Sequence, residues 1–215
     1  MEKILRGVRK FHDEIFPAHR QLFEKIAKEQ RPRALFITCS DSRVHPNLIT
    51  QTEPGDLFIL RNPGNIIPAY HAGNDSEAAT IEYAVGVLDV EDIIVCGHSN
   101  CGAMSALLNN GKANGLPAVS RWLHHAESTR RIIDVTTVDR PPEERIEGLI
   151  RQNVLVQLDH LRTHPSVASR LAQGGLRLHG WVYDIGSGDV SVHDQDRRKF
   201  VSLTRNGSAA RSQHA

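Results

Sequence analysis

The chain has 215 residues, of which 40% are hydrophobic and 24% charged, which is enough for one domain with a substantial core. A formal net charge of +1 gives no field of one sign to attract nucleic acid or a membrane surface. No apolar run approaches the roughly 20 residues of a membrane span, and residues 1–6 lack the apolar core of a signal peptide. An odd count of three cysteines argues against a disulfide framework, so we expect a cytoplasmic protein with reduced thiols.

The first 30 residues predict a helical arm. Apolar residues recur at helical spacing over residues 3–29, and Pro17 divides the pattern into two helices, the second of which begins near this proline. Charged residues occupy the other faces. The pattern fits either an arm that contacts a partner or a cap on the protein's own core.

Apolar strands then alternate with helices. Strands are predicted at residues 33–38, 56–61, 92–97 and 176–184, with a hairpin strand at 190–193. Helices are predicted at residues 46–53, 76–88, 99–108, 117–130, 143–162 and 165–173. This order predicts an α/β fold: a mostly parallel central sheet of four strands plus an antiparallel edge strand, with helices on both faces. Residues 1–215 form a single predicted domain, and the polar tail over 204–215 is expected to be flexible.

Side chains that bind metals follow two of the predicted strands. Cys39 follows the first strand, and His98 and Cys101 follow the third, with two residues between them. Arg61 ends another strand at the same edge, where ligands bind in sheets of this kind. Thiolate and imidazole ligands suit zinc, so neighbouring strands would create one zinc site per chain.

Three protein ligands leave the fourth tetrahedral position of zinc open to water, and zinc lowers the pKa of that water toward about 7. Two thiolates nearly cancel the charge of the dication. We therefore expect a less acidic water than on a zinc with three histidines, and an activity that rises toward alkaline pH.

Asp41 and Arg43 follow Cys39 at alternating positions. The carboxylate either closes the fourth zinc position or accepts a hydrogen bond from the zinc-bound hydroxide and orients its attack. Arg43 decides between these roles, because its planar fork can hold the carboxylate away from the metal. The alternative is an ordinary surface ion pair. Cys96 is either a fourth ligand or, as we favour, a buried strand cysteine.

The segments Cys39-Ser40-Asp41-Ser42-Arg43 and Gly97-His98-Ser99-Asn100-Cys101-Gly102 resemble those of the β-class carbonic anhydrases. Further likeness lies at residues 57–62, 81–84 and 178–184. It is greatest to the bacterial cyanate-operon and cyanobacterial branch, which groups with the plant enzymes. The resemblance implies reversible, zinc-dependent hydration of carbon dioxide to bicarbonate and a proton. Cys39, His98 and Cys101 would hold the Zn²⁺, and Asp41 with Arg43 would orient its hydroxide.

The resemblance also assigns a substrate pocket. Gln30 matches a glutamine that, in plant-like members, reaches across a dimer to the substrate. Phe58 and Tyr83 match aromatic residues that line the carbon dioxide pocket, and the backbone N–H of Gly102 helps to hold the substrate oxygen. A homo-oligomer of at least two subunits is implied, acting on carbon dioxide and bicarbonate, with no nucleic-acid or membrane partner.

Two positions depart from the family pattern. Pro63 stands where relatives often carry a small apolar pocket residue, which changes the shape of the pocket there. Phe36 stands three residues before Cys39, where members with an inhibitory bicarbonate site carry tryptophan. We therefore expect no such site, and a carboxylate of Asp41 that is paired with Arg43.

Two other functions stay open at the level of sequence. An enzyme of the same fold that acts on carbon disulfide or carbonyl sulfide would keep the same metal ligands. A non-catalytic zinc or thiol-redox protein would have no need of Asp41, Arg43 and Gln30. A zinc nucleobase deaminase is disfavoured, because its His-x-Glu and Pro-Cys-x-x-Cys signature is absent from the sequence.

Overall fold

The structure is a computed structural model that describes residues 1–71, 75–109, 113 and 115–204. The flexible tail predicted for 204–215 therefore lies outside the described residues except for its first position. The same holds for residues 110–112 and 114 of the loop between the helices predicted at 99–108 and 117–130.

Six strands form one sheet in the order β2-β1-β3-β4-β5-β6. Their bounds are β1 (Ala34–Cys39), β2 (Leu57–Asn62), β3 (Asp92–His98), β4 (Arg177–Tyr183), β5 (Val190–Asp194) and β6 (Lys199–Ser202). The first four strands pair in parallel, as predicted, and β5 and β6 pair antiparallel. The prediction of one antiparallel edge strand is wrong, because β6 adds a second. Its four residues place Phe200 next to Val201, so they show no alternating pattern.

The described part of the chain contains ten α-helices. They are α1 (Glu2–Lys10), α2 (Phe16–Ala18), α3 (Arg20–Ile26), α4 (Pro46–Thr50), α5 (Asp75–Gly86), α6 (Gly102–Leu108), α7 (Pro117–Leu123), α8 (Glu127–Thr136), α9 (Pro142–Arg162) and α10 (Pro165–Ala172). The helix predicted at 117–130 is two helices, because a 3₁₀ turn at His124–Ala126 separates α7 from α8. No helix among the described residues is both long enough and apolar enough to cross a membrane.

The N-terminal helices are continuous through Pro17. A π-helical segment, Phe11–Ile15, joins α1 to α2, and the break falls at His19, where φ is −113° and ψ is 18°. Proline has no N–H and crowds the carbonyl four residues earlier, and the wider π turn just before it accommodates both effects. The second helix therefore begins after His19 rather than near Pro17. None of the residues in α1, α2 and α3 is buried.

The main core lies between one face of the sheet and three helices. Side chains alternate along the strands, so Leu35 and Ile37 of β1 and Ile93 and Val95 of β3 point to the same face. They pack against residues of α5, α9 and α10: Ile81, Ala84, Val85, Val154, Leu158, Leu161 and Val167. The opposite face carries a smaller cluster made of strand residues: Ala34, Phe36, Ile94 and Cys96, with Leu57, Trp181 and Tyr183 against it.

Helix α9 lies very close to β3 and β4 because both strands carry glycine beneath it. A Cβ atom at Gly180 would lie 2.9 Å from Val154 Cγ1 and 3.2 Å from Leu158 Cδ1. A Cβ atom at Gly97 would lie 3.0 Å from Val154 Cγ2. Side chains at these two positions would push the helix off the sheet. The close approach sets where α9 crosses the strands that lead to the site described below.

Gly180→Ala is expected to lower the free energy of unfolding by about 1–3 kcal/mol, because the added methyl group overpacks the contact between β4 and α9. Gly148→Ala is the matched control, since a Cβ atom there meets only Ile133 Cδ1 at 3.5 Å. It lies inside α9, where alanine is favoured over glycine by about 0.5–1 kcal/mol. Urea unfolding of both variants measures the difference. Equal effects of the two substitutions would contradict the packing argument.

Candidate metal centre

The structure brings Cys39, His98 and Cys101 together. Because β1 and β3 are parallel neighbours, Cys39 at the end of β1 and His98 at the end of β3 lie at the same edge of the sheet. The two sulfur atoms are 3.9 Å apart, and all three potential ligand atoms lie within 4.8 Å of one another. The exposed fractions of Cys39, His98 and Cys101 are 5%, 0% and 1%. These residues form a buried set of soft donor atoms, two sulfurs and one imidazole nitrogen.

A tight turn brings the side chains of His98 and Cys101 close together. Ser99 is fixed to the end of β4, since its N–H donates to Tyr183 O at 2.9 Å and its Oγ accepts from Ile185 N–H at 2.9 Å. Asn100 has a φ of +55°, and Cys101 is extended, with φ −69° and ψ 119°. Helix α6 therefore begins at Gly102 rather than at Ser99 as predicted, and Cys101 is its N-cap residue.

His98 has one ring nitrogen that is satisfied and one that is not. Its Nδ1 lies 2.9 Å from Ser99 O, and a carbonyl only accepts, so Nδ1 carries the proton. Its Nε2 is buried and has no hydrogen-bond partner in the described part of the chain. A buried polar atom left without a partner is costly. A metal ion bound to Nε2 removes that cost, so the residues present fit a metal.

The two ligand sulfurs are electronically different in the absence of metal. The hydrogen bond with Cys101 lowers the pKa of the Cys39 thiol, and contacts with His98 and the backbone of Gly64 lower it further against the effect of burial. The same contact with Cys39, together with burial, raises the pKa of Cys101. One negative charge is therefore stabilised in the pocket, and a divalent cation would stabilise both thiolates.

Asp41 lies beside the ligands and is held by Arg43. Arg43 Nε donates to Asp41 Oδ1 at 2.9 Å, Arg43 Nη2 donates to Oδ2 at 2.7 Å, and the Arg43 backbone N–H donates to Oδ1 at 3.0 Å. The side-chain hydrogen bond from Arg43 holds the pKa of Asp41 well below its usual range. Asp41 Oδ2 is 3.9 Å from His98 Nε2. The carboxylate is thus ionised, oriented and close to the ligand cluster.

Two further groups, Arg61 and the backbone of Gly64, hold the Cys39 loop, and neither has a role predicted from the sequence. Arg61 Nε donates to Cys39 O at 3.1 Å, and its Nη2 donates to Asp41 O at 2.7 Å. The backbone N–H of Gly64 donates to Cys39 Sγ at 3.2 Å. The only sequence signals were the position of Arg61 at the end of a predicted strand and the turn-forming composition around Pro63 and Gly64.

The residues assigned to the substrate pocket lie in three places. The rings of Phe58 on β2 and Tyr83 on α5 are neighbours, with centroids 6.0 Å apart, and Tyr83 is 44% exposed. Gly102 is the first residue of α6 and follows Cys101 directly. Gln30 lies in an exposed segment between α3 and β1.

Cys96 takes no part in the ligand cluster. It is fully buried on the strand face that carries Phe36, and burial raises the pKa of its thiol to about 12. The cluster of potential metal ligands found in the described chain consists of Cys39, His98 and Cys101. The interpretation of Cys96 as a buried strand cysteine is the one that agrees with the structure.

These features define an α/β protein with a cluster of soft donor atoms, able to hold a metal ion, at the carboxyl edge of the parallel strands. A sequence model described as "Carbonic anhydrase" matches residues 34–190. The chain is 51% identical over 203 residues to a carbonic anhydrase of Pseudomonas aeruginosa, covering 94% of this chain and 92% of that protein. It is 49% identical over 203 residues to a carbonic anhydrase of Synechocystis, covering 94% and 74%.

Solved structures agree with these sequence matches. The β-carbonic anhydrase CcaA superposes with a TM-score of 0.92 at 49% identity, over 94% of this chain and 98% of that one. A tetrameric β-carbonic anhydrase of Sordaria macrospora superposes with a TM-score of 0.81 at 30% identity, over 89% and 95%. The chain therefore belongs to the β class of the carbonic anhydrase family and is an enzyme of that family, which confirms the resemblance seen in the sequence.

The purified protein is expected to contain one zinc ion per chain, and Cys101→Ser is expected to lose it, because the substitution removes a thiolate ligand. Metal analysis of both proteins measures this. Cys96→Ala is the matched control: it removes a buried cysteine that is not in the cluster and should retain the metal at full occupancy. Loss of zinc from Cys96→Ala, with retention in Cys101→Ser, would contradict the ligand assignment.

Proposed function

We propose that this protein catalyses the zinc-dependent, reversible hydration of carbon dioxide to bicarbonate and a proton. The observation that carries the proposal is the buried His98 Nε2, which has no hydrogen-bond partner in the described chain and lies within 4.8 Å of the sulfur atoms of Cys39 and Cys101. Two thiolates and one imidazole suit zinc, and a set of three ligands leaves one tetrahedral position open. The relatives named above carry the name carbonic anhydrase.

Cys39, His98 and Cys101 would hold one Zn²⁺ in each subunit. Zinc bound there supplies a Lewis acid that ionises water near neutral pH. The thiolates of Cys39 and Cys101 offset most of the positive charge, so this ionisation needs a higher pH than it would with three neutral histidines. The side chains of the site therefore favour an activity that rises toward alkaline pH.

Asp41 would orient the attacking oxygen by accepting a hydrogen bond from it, and Arg43 would keep Asp41 in place. Both carboxylate oxygens of Asp41 accept hydrogen bonds from Arg43, which opposes movement of the carboxylate onto the metal. Because Arg43 depresses the pKa of Asp41, the carboxylate is ionised at and well below neutral pH. Its stabilising contribution is present above the unfolded-state pKa of about 3.9 and is lost only as the pH falls through the lower folded-state value.

Carbon dioxide is apolar and bicarbonate is charged, so the pocket needs both kinds of contact. Phe58 and Tyr83 supply neighbouring aromatic surfaces that suit apolar carbon dioxide. The backbone N–H of Gly102, in the first turn of α6, suits an oxygen that gains negative charge. Gln30 would reach the pocket of a neighbouring subunit from its exposed segment.

We further propose a cytoplasmic homo-oligomer of at least two subunits, in which residues 1–30 form an arm of a single domain over 1–215. The support is an exposed apolar stripe at helical spacing along the arm, formed by Ile4, Leu5, Val8, Phe11 and Ile15. An apolar patch of this kind marks an interaction surface. The related enzymes of Sordaria macrospora are described as tetrameric.

Stopped-flow hydration of carbon dioxide tests the function. The zinc-loaded protein is expected to be active, with activity rising from neutral to alkaline pH. Arg43→Lys is expected to lower activity by about 100-fold, because lysine cannot form the fork that orients Asp41. Arg177→Lys is the matched control: Arg177 also makes a bidentate pair, with Asp92, at the opposite edge of the sheet, and its loss should leave activity unchanged. A zinc-loaded protein that releases sulfide from carbonyl sulfide but does not hydrate carbon dioxide would contradict the proposal.

Sedimentation velocity tests the assembly. The wild-type chain is expected to sediment as a dimer or larger, and the double substitution Ile4→Glu with Val8→Glu is expected to dissociate it, because the stripe would then carry buried charge. Lys10→Glu also adds negative charge to α1, but outside the stripe, and should leave the assembly intact. A monomeric wild type would contradict the proposed oligomer.

A further inference from the structure

We propose that Asn153 is a positioning residue for the metal centre, which it serves by holding the backbone of Gly64 so that the Gly64 N–H donates to the sulfur of Cys39. The inference rests on the proposed zinc site and adds to it a residue of α9. Asn153 does not touch the ligand cluster itself. It acts through the backbone dihedral angles of one residue, Gly64, in the loop that follows β2.

The loop after β2 is buried, which loops seldom are, because buried backbone groups need partners. Residues 64–68 are buried throughout. Asn65 N–H donates to the backbone carbonyl of Asn62 at 3.3 Å, and the other hydrogen bonds of this backbone are made to side chains. Asn62 accepts from Ile66 N–H at 2.9 Å and donates to Ile66 O at 2.7 Å, which closes the turn on itself. Gly64 N–H donates to Cys39 Sγ, and four further partners come from α9 and the residues just after it.

Asn153 and Gln157 form a hydrogen-bonded relay along α9, and both side chains are fully buried. Ile67 N–H donates to Gln157 Oε1 at 2.8 Å, Gln157 Nε2 donates to Asn153 Oδ1 at 2.9 Å, and Asn153 Nδ2 donates to Gly64 O at 3.0 Å. The direction of the relay is fixed at both ends, because a backbone N–H only donates and a carbonyl only accepts. Neither amide can be turned around without placing two donors or two acceptors together.

A side chain at Gly64 would be strained and crowded. The φ of Gly64 is +82°, and a Cβ atom would lie 2.8 Å from Met104 Cε and 3.0 Å from Ala103 Cβ, so the loop is wedged against α6. Helix α6 follows Cys101 directly. Gly64 is thus confined by α6 on one side and by Asn153 at its carbonyl, and its N–H, which belongs to the preceding peptide, lies 3.2 Å from Cys39 Sγ.

This N–H donor has a defined effect on a metal thiolate. It stabilises negative charge on the Cys39 sulfur and fixes the direction of its lone pairs, so the sulfur is held in place relative to His98 and Cys101 before metal arrives. Partners of this kind around metal ligands typically contribute about 10- to 100-fold to metal affinity. Loss of the Asn153 contact leaves Gly64 O unpaired and frees the peptide between Gly64 and Asn65, so the φ and ψ angles of Gly64 are less fixed and the contact of its N–H with the sulfur weakens.

The experiment compares Asn153→Leu with His164→Leu in the full-length protein. His164 is the matched control because it is also buried and its Nε2 lies 3.1 Å from a carbonyl of the same loop, that of Pro68, away from Gly64. Zinc affinity is measured by competition with a chelator. Cobalt(II) is then substituted for zinc, and the thiolate-to-cobalt charge-transfer band is recorded. Asn153→Ser provides a second variant with less steric change should the leucine variant fold poorly.

Asn153→Leu and Asn153→Ser are expected to bind zinc about 10- to 100-fold more weakly than wild type. Their charge-transfer band should move to longer wavelength, because a thiolate without its N–H donor gives up an electron more easily. His164→Leu should match wild type in both readouts. Wild-type affinity and band position in both Asn153 variants would overturn the inference, as would equal losses in His164→Leu. A wild-type protein that binds no zinc would instead contradict the proposed function itself.

Discussion

The parallel pairing of β1 with β3 is the constraint on which the candidate site depends. The register aligns Thr38 with Cys96, so the next residues of the two strands reach the same edge of the sheet. Thr38 Oγ1 also donates to Cys96 O at 2.8 Å inside the core, which adds a side-chain bond to the ladder just below the ligands. By strand alternation Cys39 continues the face of Ile37, whereas His98 continues the face of Cys96, so the two side chains meet at the edge of the sheet and not on one of its faces. The ligand cluster therefore follows from strand order and register.

Electrostatics then hold the two ligand loops together. The site contains two thiols and a carboxylate within a few ångströms, and negative charges at this distance repel in a buried setting. Arg43 offsets this charge and also connects the loops, because its Nη2 binds both Asp41 Oδ2, at 2.7 Å, and Asn100 O, at 3.2 Å. Arg61 holds the loop after β1 by donating to the carbonyl oxygens of Cys39 and Asp41. The pairing of Asp41 with Arg43 is thus part of a network that spans both strand ends.

Much of this arrangement could be predicted from the sequence, for physical reasons that differ between elements. Strands β1 and β3 are short apolar runs buried on both faces, and the candidate ligands Cys39 and His98 stand at their ends, so both the strands and the cluster are predictable from the sequence. Strand β6 was missed because it has no periodicity of its own and exists through pairing with β5. The start of α6 was placed at Ser99 rather than Gly102, because the turn there depends on bonds between Ser99 and the end of β4.

The contacts of Gly64 could not be predicted from the sequence, for a different reason. Asn153 and Gly64 are 89 residues apart in the chain, and Asn153 lies in a helix whose polar residues suggest a solvated face. The structure places Asn153 and Gln157 on the buried side instead. Amide side chains are retained in a core where backbone groups need partners, and here those groups belong to a loop whose N–H donates to the sulfur of Cys39. Asn153 and Gln157 therefore mark the place where the loop after β2 enters the core.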